Sequence, residues 1–264
     1  MASPKKVLVI AEGKNDKSII KRIFEVYEKN VEVVTFKTEI YQLYDMYEAQ
    51  GVKYEDIDLQ QTLLTERPNL TPNEKKILQD RYVDIFLIFD FDPHASHAEI
   101  RKLEKLASHF KDSSDMGKLF INYPMMESYQ HVADSKLKAG LVDRQFLESR
   151  FSDKDLIKES NQVRYKVRAK QEGFSRKQLT KNEWNLLISH HLYKIESIVG
   201  SLRKVEYSQK KFLELLLLQG KSYQEDKTGY ILNTSVTIIP ELYPSDWHDF
   251  TNDIALSLKQ NVEF

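Results

Sequence analysis

The chain begins its ordered pattern with a continuous apolar run, Val7–Ala11, as a strand buried on both faces requires. Glu12-Gly13-Lys14-Asn15 interrupts it, and apolar residues return at Ile19, Ile20, Ile23, Phe24 and Tyr27, the spacing of a helix with one buried face. Residues 31–36 alternate and are β-branched, which predicts a second strand. Ile40, Leu43, Tyr44 and Tyr47 predict a helix over 38–50 that Gly51 closes, and a short helix follows over 54–64. Thr71-Pro72-Asn73-Glu74 joins an N-cap, a proline at the first helical position and a capping-box acid, so a helix should run from there to about residue 82. Residues 85–89 are the most apolar strand candidate and lead straight into Asp90-Phe91-Asp92-Pro93. A helix over 96–110, a polar loop over 112–117 and a strand over 119–123 complete this part.

The order is strand, helix, strand, three helices, strand, helix, strand, which predicts an α/β fold with a mostly parallel sheet flanked by helices. The texture then changes. Residues 130–220 read as helical, without a convincing strand, and carry two apolar stripes. One is Trp184, Leu187, Ile188, His191, Leu192 and Ile195; the other is Phe212, Leu213, Leu216 and Leu217. Residues 235–239 return to strand character, and 246–258 look like a last helix. The expected division is an α/β core over 1–130, an inserted or appended α-helical basic subdomain over 131–228, and a strand and helix over 229–264 that return to the core.

Charge sharpens this division. The net charge of the 264 residues is −1, yet residues 161–211 hold twelve basic and four acidic side chains, a balance of +8 that leaves −9 elsewhere. An acidic part suited to a cation thus adjoins a basic part suited to a polyanion, although a solvated helical face would carry the same charges. There is no cysteine, which excludes a disulfide framework and a cysteine-based zinc site and fits a reducing, cytoplasmic location. No apolar run approaches a membrane span, and the run near the N-terminus is too short for a signal peptide. No glycine-rich phosphate loop appears, and no Ser-His-Asp or cysteine-nucleophile pattern.

The candidate chemistry lies in the carboxylates. Glu12 follows the first strand and Asp90 and Asp92 the third; in a parallel sheet both strand ends share the edge where ligands bind. Acids gathered there repel one another unless neutralised, and oxygen ligands suit a hard cation, Mg2+ or Mn2+. Pro93 enforces a turn that lets Asp90 and Asp92 face one ion.

Strand-Glu12-Gly13-Lys14-Asn15-Asp16-helix, followed by strand-Asp90-Phe91-Asp92-Pro93, resembles the Toprim fold of topoisomerases, primases, small ribonucleases and overcoming-lysogenisation-defect (OLD) nucleases. The resemblance covers roughly the first 130 residues. It implies that Glu12, Asp90 and Asp92 are catalytic and hold a divalent metal, with Asp16, four residues after the Glu, and Glu127, after the next strand, as OLD-type additional ligands. The third acid of an Asp-x-Asp-x-Asp pattern is replaced here by His94. The stretch 120–129 is also similar to stand-alone Toprim effectors of bacterial anti-phage defence, such as the effector subunit of the PARIS system, which attacks transfer RNA.

Other readings of the same residues stand beside this one. Asp16 also suits a helix cap, Glu127 a lysine partner, and His94 and the pair His190-His191 core or surface positions. Haloacid-dehalogenase phosphatases carry an Asp-x-Asp too, but after the first strand, where this chain has Glu-Gly. The expected activity is metal-assisted hydrolysis of RNA, transfer RNA included, or DNA phosphodiesters, as a toxic effector in abortive infection. Lys14, Arg164, Lys166, Arg168, Lys170, Arg176 and Lys177 would grip the polyanion, with Tyr165, Phe174 and Trp184 between the cations. The alternative is a non-catalytic module that binds a metal-nucleotide or nucleic acid within a larger ATPase-containing complex. Tyr41, Tyr44 and Tyr47 permit a surface for an ATPase partner subunit or a homo-oligomer.

Overall fold

A computed structural model describes residues 6–37, 39–67, 69–95, 97–159, 162–163, 165–166, 179–200 and 209–260. Its central sheet has the order β2-β1-β3-β5-β4, built from β1 (Val7–Ala11), β2 (Glu32–Thr35), β3 (Asp84–Asp90), β4 (Lys111–Asp112) and β5 (Gly117–Asn122). The first four in space are parallel and β4 closes the edge antiparallel, so the protein is α/β with a mostly parallel sheet flanked by helices. Both faces are covered, and all five residues of β1 and all six of β5 are buried. That explains why these strands are apolar without alternation.

Helices α1 (Lys14–Val26) and α2 (Ile40–Ala49) follow the first two strands. The predicted helix over 54–64 is a 3-10 turn at Tyr54–Asp56 and then α3 (Leu59–Glu66), whose N-cap Asp58 accepts from the Gln61 N–H at 2.9 Å. The capping box at Thr71 forms as its sequence specifies, opening α4 (Pro72–Leu78). α4 stops earlier than predicted and leaves Asp80 exposed as an ion-pair partner of Lys6. α5 (Ile100–His109) starts four residues later than predicted.

Short helices α6 (Asp134–Ala139) and α7 (Arg144–Glu148) follow. Strands also occur where none was predicted: β6 (Arg150–Ser152), β7 (Lys158–Glu159) and β8 (Gln162–Val163). Runs of two or three residues carry no readable period; β7 and β8 pair locally with each other, and β6 gains its order from a distant partner. α8 (Lys181–Val199) and α9 (Gln209–Asp226) carry the two apolar stripes, and β9 (Thr228–Tyr230) pairs with β6. α9 packs on α5, where a Cβ at Gly220 would come within 2.9 Å of Ile100; the glycine permits the close approach.

The strand predicted over 235–239 is instead a 3-10 turn, Ser235–Thr237, leading into α10 (Ile238–Leu242). Its β-branched residues are buried on every side, so burial and not a pleat explains their character. Asn233 Oδ1 accepts from Ser235 Oγ and the Val236 N–H, and Thr237 Oγ1 donates to Thr234 O, local bonds that select a turn. The last helix, α11 (Thr251–Lys259), begins later than predicted and packs on α8. Among the described residues no helix is long and apolar enough to cross a membrane.

Candidate functional site

The parallel ladder between β1 and β3 continues one residue beyond β1: the Glu12 N–H donates to Ile88 O at 3.0 Å. Glu12 therefore leaves the sheet beside the end of β3, and its Oε2 accepts the Asp90 N–H at 3.1 Å. On the far side of β3 the Phe91 N–H donates to Asn122 O at 2.9 Å, aligning the end of β5 with the same edge. A side chain and a backbone N–H 78 positions apart in sequence are thus in direct contact because neighbouring strands run the same way.

Asp16 lies in the first turn of α1, and its Oδ2 accepts the N–H of the N-cap Gly13 at 2.7 Å. Asp92 Oδ1 accepts the His94 N–H at 3.1 Å, which fixes the turn after β3. Glu127 sits in the 3-10 turn Met126–His131 after β5, is 5% exposed, and has Oε1 3.3 Å from Lys166 Nζ. Its other oxygen is buried and has no hydrogen-bond partner among the described residues. The capping contact of Asp16 and the lysine pairing of Glu127 both exist, and both acids also act electrostatically on Asp90.

The charges are poorly relieved. Burial pushes the Glu12 carboxyl up to about 8; the Asp90 N–H opposes this, and Asp16, Asp92 and Glu39 add to it. Asp90 is held well above the usual carboxylate range by burial first, then by Glu12, Asp16 and Glu127, with Lys166 opposing. Lys166 shows the reverse: burial disfavours its charge, but Glu127, Asp90 and Asp16 outweigh that and hold its ammonium above the ordinary range. These groups border a cleft of about 670 Å3 lined by Glu12, Glu39, Asp92, His94, Met125 and Lys166 among others.

Among the described residues, no three Asp, Glu or His side chains already form a closed cation cage. The donor set nevertheless fits a hard divalent ion: the ligands are carboxylate oxygens, two carboxyls are driven toward protonation by burial and by neighbouring acids, and Glu127 Oε2 is buried without a donor among the described residues. Glu12, Asp90 and Asp92 are the residues that would hold such an ion, with Asp16 and Glu127 beside them.

Two features escaped the sequence reading. Glu39, the N-cap residue of α2, lies after β2 as Glu12 lies after β1, and it lines the same cleft. An acid at the exit of a second parallel strand is a signal that could have been used. His94 Nε2 lies 2.8 Å from Asp153 Oδ1 and 3.0 Å from Tyr223 Oη, tying the Asp92 turn to the segment after β6 and to α9. Nothing local in the sequence joins residues 59 and 129 positions apart.

Of the predicted polyanion-binding cations, Arg164, Arg168, Lys170, Arg176 and Lys177 lie outside the described residues, as does Phe174. Lys14 is exposed at the start of α1, and Lys166 reaches the acids. The expected stacking role of Tyr165 and Trp184 is corrected: both are fully buried, and Trp184 stacks on Tyr129 at 6.0 Å. Lys194 and Lys211 are also spent inside, Lys211 on Glu196 at 2.8 Å. Tyr41 and Tyr47 belong to the core and not to an exposed interface: both are buried on the inner face of α2, Tyr47 against Tyr54, His109 and Phe110. His190 and His191 are core residues too.

No protein-family model, curated protein or solved structure matches this chain.

Proposed function

We propose that the chain is a metal-dependent nuclease that hydrolyses phosphodiesters of RNA or DNA, with Mg2+ or Mn2+ held by Glu12, Asp90 and Asp92. The observation that carries this reading is the meeting of Glu12 and Asp90 at one strand edge, both carboxyls raised, with the Lys166 ammonium among the acids. A buried acid cluster of this kind costs stability and is kept where its charge is used.

A bound divalent cation would supply Lewis-acid polarisation of the phosphate and a more acidic water. The chain's own groups do the rest. Asp16 and Glu127 add negative field at Asp90, which would favour a cation held by Glu12, Asp90 and Asp92. Lys166, at the cleft wall, offers an ammonium to a non-bridging phosphate oxygen as negative charge grows there. The water oxygen bonds to phosphorus, the bond to the leaving oxygen breaks, and that oxygen takes up a proton. The His94 N–H keeps Asp92 turned toward the cleft.

The Toprim-like order of strand ends and the OLD-type acid positions support a place among such nucleases, and the similarity over 120–129 extends it to a toxic effector of anti-phage defence. On that reading transfer RNA is the substrate, and an ATPase subunit is the partner that restrains it. The test is incubation of purified protein with total RNA and with plasmid, with and without Mg2+, beside Glu12→Gln. Cleavage that needs both the cation and Glu12 is expected. Cation binding without turnover on either substrate would reject the nuclease and leave a binding module.

A further inference from the structure

A second charged cluster lies beside the first, and it is basic. Lys17 of α1, Lys37 after β2 and Arg67 after α3 surround one acid, Glu74 of α4. The contacts are loose: Lys37 Nζ and Arg67 Nη2 each stand 3.9 Å from a Glu74 oxygen, beyond hydrogen-bond reach. Glu74 Oε2 is already engaged, accepting from the Thr71 N–H and from Thr71 Oγ1, both at 2.9 Å. A carboxylate committed to a helix cap is thus the only acid that Lys37 and Arg67 meet in ion-pair range among the described residues.

Arg67 makes the shortfall plain. It is 8% exposed, and its Nη1 is buried with no hydrogen-bond partner. A buried guanidinium with donors unused is costly. Lys17 has its ammonium disfavoured by burial first, then by Lys21 and Lys37, against which Glu74 and Glu32 of β2 do not prevail. The cluster holds more positive charge than its acid neutralises, in a geometry that an anion with several acceptor oxygens would complete.

Its position says which anion. Lys37 has a left-handed backbone, φ 67°, and its N–H donates to the Glu12 carbonyl at 2.8 Å. The cluster therefore starts at the residue whose side chain opens the acidic cleft. We propose that Lys17, Lys37 and Arg67 form a phosphate subsite, which holds the backbone phosphate adjoining the one cleaved at the Glu12–Asp90 edge. This rests on the nuclease reading and adds to it a direction: the polynucleotide leaves the cleft over the exit of β2. Contacts to phosphate alone make the grip independent of base sequence.

The test separates the two. Binding of a labelled single-stranded oligonucleotide to the Glu12→Gln protein is followed by anisotropy across a salt titration, with and without Lys17→Gln and Lys37→Gln together. The double variant should weaken binding about tenfold and flatten the slope of log K against log salt by about 0.7, the share of one lost phosphate contact on a single strand. With Glu12 intact, the double variant should raise KM and spare kcat. A protein that cleaves, but whose double variant keeps the parental affinity and slope, overturns the subsite and makes the cations a mere surround for Glu74. A parent that neither binds nor cuts any polynucleotide overturns the nuclease reading instead. Inorganic phosphate then judges the cluster alone: a melting temperature raised in the parent and not in the double variant upholds an anion site, and no rise in either removes it.

Discussion

Around the strand ends and along α8, two of the regions where ionisable side chains are buried, the charges are settled differently. In α8, His190 Nδ1 donates to Leu186 O at 2.8 Å and its Nε2 accepts the Asp143 N–H at 2.9 Å. His191 Nδ1 accepts the Asn233 N–H at 3.0 Å, leaving only Nε2 unpartnered against the edge of Phe146. Lys194 is wholly buried and donates to Phe146 O, Ser149 O and Ser149 Oγ at 2.7, 2.8 and 3.0 Å, one acceptor for each ammonium proton. Each group there ties one segment of backbone to another. At the strand ends the reverse holds: acids face acids, and burial and their neighbours drive Glu12 and Asp90 toward protonation. Buried polarity that is matched internally reads as structure, and buried polarity left unmatched reads as function.

Four experiments can break or sharpen this contrast. The largest effect is expected at Glu12. Glu12→Gln should lower nuclease turnover about 1000-fold, some 4 kcal/mol of transition-state stabilisation, while the melting temperature stays level or rises. A folded Glu12→Gln protein with parental turnover would end the catalytic assignment.

Lys194→Met tests the opposite region. It removes three buried hydrogen bonds at once, although Phe146 O keeps the Ser149 N–H and Oγ and Ser149 O keeps the Ile231 N–H, for a cost of about 1–3 kcal/mol in denaturant unfolding. A loss under about 1 kcal/mol would mean that the α8 layer is not the tie described.

The pH dependence of the cation-free protein comes next. Glu12 has its folded value raised from 4.5 to about 8, so between those limits the folded chain holds a proton that the unfolded chain releases. Stability from this group is complete below the unfolded value and is lost as pH rises through about 8. Thermal melts should show a fall over that window, smaller in Glu12→Gln, and added Mg2+ should reverse it because cation and proton compete. A flat profile in the parent would contradict the crowding of acids.

The smallest effect separates two uses of one side chain. Asp16→Asn keeps an acceptor for the Gly13 N–H, whereas Asp16→Ala removes it at about 1 kcal/mol. If Asp16 also serves a cation, both variants should weaken Mg2+ binding, and Asp16→Asn should do so with near-parental stability. Calorimetric titration with melting curves reads both quantities, and unchanged affinity in both variants would leave Asp16 as a cap alone.

β1 and β3 were legible because burial on both faces demands unbroken apolar runs, as in Val7–Ala11 and residues 85–89; β2 was read from alternation, and the two-residue edge strand β4 was not read at all. Helix starts such as Thr71 were legible because capping is local chemistry. Glu12, Asp90 and Asp92 stood out for a related reason: each acid directly follows an apolar strand, and parallel pairing obliges such ends to meet. The turn at residues 235–237 was misread because fully buried β-branched residues look alike in strand and turn.

Chain order and apolar spacing by themselves determined the α/β class and the strand edge on which the acids gather, since both follow from interactions among near neighbours and from the direction of strands. Tertiary structure alone decided that Glu39 and Lys166 join that edge, that Tyr165, Trp184 and Lys194 turn inward, and that Lys17, Lys37 and Arg67 collect beside one committed acid. The physical reason is that a charge's role depends on what surrounds it after folding. Desolvation and distance to other charges are properties of packed space, and sequence spacing carries neither.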